Sequence, residues 1–146
     1  YRFPNAGLDE EKLKRIEESA ELCSETADYN LDFPSDITLW INGVDVGTWH
    51  CPSDFGGRRG KLNPDWWPDK NTQYGVLKTW SVDQKGTKLD GKSVSEARLS
   101  DFHLTEKPYI SVKIGIREDA ICAGGVNLFG EAFGDYPQNI LMKFCY

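Results

Sequence analysis

Residues 37–49, ITLWINGVDVGTW, set Asn42-Gly43 between two stretches of alternating apolar and polar residues. Asn-Gly accepts the positive φ angles that a two-residue hairpin turn demands. Leu39 and Ile41 alternate with Thr38 and Trp40 before the turn, and Val44, Val46 and Thr48 continue the pattern after it. A period of two is the signature of a strand with one face buried. Strands are also predicted over 74–83, 97–104, 109–118 and 139–146. In the third of these Ile110, Val112, Ile114 and Ile116 share a face, and in the last Ile140, Met142 and Phe144 do. Residues 85–94, KGTKLDGKSV, hold two turns. Residues 13–25 fit two periods. Leu13, Ile16, Ala20, Cys23 and Ala27 make a helical stripe, while Ile16, Ala20, Leu22 and Ser24 make one face of a strand. The neighbouring strands favour the second. Short strands separated by turn signals predict an all-β, jelly-roll-like β-sandwich with long loops and at most one short N-terminal helix.

The chain has 146 residues, the length of one domain. Its net charge of −6 is wrong for gripping phosphates or an anionic membrane surface. No apolar run approaches the ~20 residues of a membrane-spanning helix. The only methionine is Met142, so the chain is expected to be a fragment or processed product of a longer protein. Cys23, Cys51, Cys122 and Cys145 form no close pair. They read as reduced thiols of an intracellular protein rather than as a disulfide framework.

The residues that stand out for function lie in 50–75, HCPSDFGGRRGKLNPDWWPDKNTQYG, a loop too long to be a plain connection. Arg58 and Arg59 carry planar donor forks suited to carboxylates and hydroxyls. Asp54 and Asp65 are acceptors, and Trp66, Trp67 and Tyr74 offer flat apolar surface. Apolar walls with a few placed polar groups are what ligand sites are made of. Asp54, Arg58, Arg59, Trp66, Trp67 and Tyr74 are therefore the candidate ligand-binding residues. The competing reading is a loop pinned to the sandwich by its own aromatics and Asp–Arg pairs. A second Gly-rich segment, GGVNLFGEAFGDY, lacks the Gly-Lys-Ser/Thr and the strand-to-helix setting of a phosphate loop.

Nothing in the chain marks a catalytic centre. His50 and His103 sit in no nucleophile motif, and Gly-x-Ser-x-Gly does not occur. His50 and Cys51 are adjacent, which sends their side chains to opposite faces of a strand. No pair among His50, Cys51, His103 and Cys122 has zinc-ligand spacing. The chain is thus expected to be no enzyme and to need no metal or cofactor.

The motifs PSDITLWINGVDVGTW, PSDFGGRRGKLNPDWWP, TQYGVLKTW and GGVNLFGEAFGDYPQ together resemble the C-terminal domain of bacterial transcriptional regulators related to the ArsR winged-helix group. The resemblance runs from about Ile16 to Tyr146. It implies a cytoplasmic regulator, homodimeric at full length, whose N-terminal DNA-binding domain is absent here, so that this fragment makes no direct nucleic-acid contact. The expected function is effector sensing or dimerisation, with a small polar or carbohydrate ligand. The Cys-x-Cys metal ligands of ArsR sensors do not occur in this chain. The hairpin INGVDVG also resembles a feature of sugar-binding jelly rolls in glycoside hydrolases. That likeness keeps open the alternative of a carbohydrate-binding module from a secreted enzyme.

Overall fold

The computed structural model describes residues 1–146. Ten strands form two antiparallel sheets. The first sheet has the order β1 (Arg2–Pro4), β8 (Tyr109–Ile116), β3 (Ser35–Ile41), β4 (Val44–Cys51). The second has the order β10 (Leu141–Cys145), β2 (Arg15–Cys23), β5 (Val76–Asp83), β6 (Gly86–Leu89), β7 (Lys92–Ser95). The two-residue strand β9 (Asn127–Leu128) pairs the far end of β2. The all-β sandwich is therefore as the alternation predicts.

Inward residues from both sheets make one core, in which Ile16, Leu22, Ile37, Leu39, Ile110 and Trp80 are almost wholly buried. The β3–β4 hairpin turns at Asn42 (φ 48°) and Gly43 (φ 86°), the conformation that Asn-Gly supplies. A bulge follows, because Leu39 pairs Gly47 while Trp40 pairs Asp45. The extra residue turns the Gly47 carbonyl inward, where it accepts the Trp80 indole N–H at 3.2 Å. This hydrogen bond ties the two sheets together and satisfies the polar atom of a buried tryptophan.

Residues 15–23 are a strand and not a helix. As a helix, this stretch would bury one narrow stripe. As β2 it lies at the centre of a sheet, against β5 on one side and β10 and β9 on the other. Backbone pairing on both flanks outweighs the helical stripe.

One expectation is corrected. Residues 97–104 are not a strand: Leu99–Asp101 form a 3₁₀ turn, with the Arg98 N–H held by Asp101 Oδ2 at 2.9 Å. Leu99, Phe102 and Leu104 are buried, so the apolar spacing there reflects a plug in the core and not a pleat. Residues 85–94 do contain two turns, but strands β6 and β7 form between and after them. The turn between these strands repeats the first hairpin, with Asp90 (φ 47°) and Gly91 (φ 83°).

Candidate functional site

Two loops fold onto each other above the outer face of β2. One joins β4 to β5 (52–75) and the other joins β9 to β10 (129–140). What holds them is Glu21, an outward residue of β2 that the loops bury completely. Its carboxylate accepts the N–H groups of Gly75 at 2.8 Å, Asp135 at 2.9 Å and Tyr136 at 3.0 Å. One side chain thus anchors both loops through their backbones. Gly134 (φ 79°) lies so close that a Cβ there would overlap the Glu21 carboxylate.

Polar side chains complete the clamp. Asn63 Oδ1 accepts the Gly134 N–H at 2.8 Å, and Asn63 Nδ2 donates to the Gln73 carbonyl at 2.8 Å. Gln73, fully buried, donates to the carbonyls of Pro68 and Asn71 at 2.8 and 2.9 Å. Arg58 forms a two-pronged pair with Asp135 at 3.0 and 2.6 Å. Its guanidinium lies 3.5 Å from the centre of the Tyr74 ring, which stacks in turn on Phe55. The Arg58 hydrogen bonds, more than any other group, hold the Asp135 carboxyl below the usual carboxylate range.

Arg59 reaches under the Trp66-Trp67 turn. It donates to the carbonyls of Pro64 and Trp67 at 2.7 and 2.8 Å and to Asp69 at 2.6 Å. The half-buried Trp67 gives its indole N–H to the Thr72 carbonyl at 2.9 Å and packs edge-on against Phe133. Trp66 stands edge-on to both Trp67 and Phe133, and 70% of its surface is open to solvent.

The six candidate residues therefore take different places. Trp66 is presented outward. Arg58 and Arg59 each meet an internal carboxylate yet keep 48% and 38% of their side-chain surface exposed. Tyr74 and Trp67 are half-buried supports. Asp54 leaves the surface altogether. It lies fully buried beneath the loop, where one carboxylate oxygen accepts the Thr26 N–H at 3.1 Å and the other has no partner. Burial raises its pKa.

Beside this framework is a cleft of about 270 Å³ lined by Tyr29, Gly57, Arg58, Arg59 and Asp69. A smaller, more apolar hollow of about 170 Å³ runs along Trp67 and Phe133. Glu21, Asn63, Gln73, Phe133 and Asp135 escape sequence reasoning. Asn63 and Gln73 lie in the 50–75 loop and Phe133 and Asp135 in the second Gly-rich segment, but only the signal that these two loops must touch could have picked them out, and Glu21 lies in a segment that carries no such signal.

A comparison with known proteins finds no matching family model, no matching curated sequence and no matching solved structure. No helix is long and apolar enough to cross a membrane. The geometry defines a stapled aromatic loop on a β-sandwich.

Proposed function

We propose that this chain is a non-catalytic recognition domain whose ligand rests on Trp66 and is held at its edges by the Tyr29–Arg59–Asp69 cleft. The observation that carries this reading is the exposure of an indole on a loop fixed from below. A tryptophan open to water forgoes most of the stabilisation that its burial would bring. Here the loop beneath it is rigidly pinned, so the ring's orientation is set before any ligand arrives. An exposed apolar ring on the same loop as the Arg59–Asp69 pair suits a small polar molecule with an apolar side, such as a sugar.

The motif resemblance supplies the setting: the effector-sensing part of a cytoplasmic, homodimeric, ArsR-related winged-helix regulator. The −6 charge supports leaving DNA contact to another domain. Four free thiols support this setting over a secreted carbohydrate-binding module. Calorimetric titration with a panel of mono- and oligosaccharides tests the reading. Binding by the native chain that is lost in Trp66→Ala, with the melting temperature retained, is the expected result. A native chain and a Trp66→Ala variant that behave alike across the panel would remove the recognition surface.

A further inference from the structure

On the opposite side of the molecule, the outer face of the first sheet carries a second cluster. Asp36 and His50 are directly opposite each other across the β3–β4 pair. Both point outward, since Ile37 and Cys51 on either side of them point into the core. His50 Nδ1 lies 2.7 Å from Asp36 Oδ1. The third member, Cys122, comes from the segment between β8 and β9. Backbone bonds fix it there: the Asp36 N–H donates to the Cys122 carbonyl at 2.7 Å, and Ser35 bridges Ala123. The Cys122 N–H donates to Asp36 Oδ2 at 3.0 Å. The thiol, the imidazole and the carboxylate each bring one donor atom, and these three atoms lie within 4.8 Å of one another.

From this geometry we infer that Asp36, His50 and Cys122 form a binding site for a divalent transition-metal ion of the zinc class. The donor set decides the ion. A thiolate with an imidazole and one carboxylate suits Zn²⁺, whereas Mg²⁺ and Ca²⁺ take oxygen ligands. Zinc bonds run about 2.0–2.3 Å, so tetrahedral ligands sit about 3.3–3.6 Å apart. At 2.7 Å the His50 and Asp36 donor atoms are closer than that, so binding an ion would exchange their hydrogen bond for two metal bonds and turn the exposed imidazole away from the carboxylate. Asp36 is already oriented by the Cys122 N–H, the kind of outer contact that aims a ligand. Three protein ligands leave a fourth position open towards solvent. Cys51, the sequence neighbour of His50, is excluded because its buried thiol donates to the Ser53 carbonyl at 3.1 Å. The site depends in no way on the aromatic loop.

Titration of the reduced full chain with Co²⁺, followed by competition with Zn²⁺, tests it. The expected result is one equivalent per chain, a thiolate-to-cobalt charge-transfer band and a melting temperature raised by several degrees with Zn²⁺. Cys122→Ser should abolish the band, and His50→Ala should weaken binding at least tenfold. His50 is exposed and Cys122 is only half-buried, outside the hydrophobic core, so both variants should fold. Cys145→Ser should leave the band unchanged. Absence of stoichiometric binding, or a band that survives Cys122→Ser, would overturn the site.

Discussion

At the residue scale, the molecule's least expected feature is Glu18. On β2 it shares the inward face with Ile16 and Ala20, and neither carboxyl oxygen has a hydrogen-bond partner. Burial pushes its pKa up to about 8. The folded chain therefore keeps its proton where the unfolded chain, with an ordinary value near 4.5, has lost it. Below the unfolded value this group has no pH-dependent effect. As pH rises from there towards 8, stability falls by up to about 1.4 kcal/mol per pH unit. Urea denaturation across pH 4–9 should show this decline, and Glu18→Gln should flatten it and be more stable than the native chain at pH 8. A native profile that rises over this range would refute the assignment. Arg58 is a milder case. Its two-pronged pair with Asp135 is half open to solvent, so Arg58→Ala should cost about 1 kcal/mol in the same denaturation assay.

At the scale of elements, the two loops are only as ordered as Glu21 makes them. Glu21→Ala would leave three backbone N–H groups without their acceptor beneath the loops. Each such group costs about 1–3 kcal/mol, so a loss of at least about 3 kcal/mol is expected. Hydrogen exchange should localise it, with Gly75, Asp135 and Tyr136 losing protection before β3 and β8 do. Equal loss of protection across the sandwich would mean that Glu21 is merely part of the core.

The same scale shows what a sequence of this kind discloses. Hairpins announce themselves, because Asn42-Gly43 and Asp90-Gly91 are turns by local chemistry alone. The strand β8 is legible from its alternation. Residues 97–104 are not, since Leu99, Phe102 and Leu104 serve a plug whose spacing comes from the cavity they fill. In the candidate site, Trp66 and the two arginines are visible as residue types. Their division of labour is not visible, because it depends on Asp135, Gly134 and Glu21, which are distant in sequence. Asp54 shows the limit most clearly: an acidic residue in a polar loop reads as exposed, and tertiary folding buries it.

At the scale of the whole molecule, two sheets form one sandwich with two chemically distinct faces. Over the second sheet lies the aromatic loop, and on the first lies the Asp36–His50–Cys122 cluster. Circular dichroism should be dominated by β signal. With its net charge of −6, the isolated chain at micromolar concentration should not retard duplex DNA in a gel shift at physiological salt, and a clear shift would count against the division of roles proposed for the regulator.

The most direct test of recognition by the loop is the indole N–H spectrum of the ¹⁵N-labelled chain. Its five tryptophans give five reporters. Trp80, bonded to Gly47 inside the core, serves as the internal reference. On titration with the saccharide panel, the Trp66 signal should shift saturably, the Trp67 signal less, and the Trp80 signal not at all. Trp66→Ala should abolish the response elsewhere in the loop. A ligand that shifts other signals while leaving Trp66 unmoved, or a panel that moves none, would contradict the account.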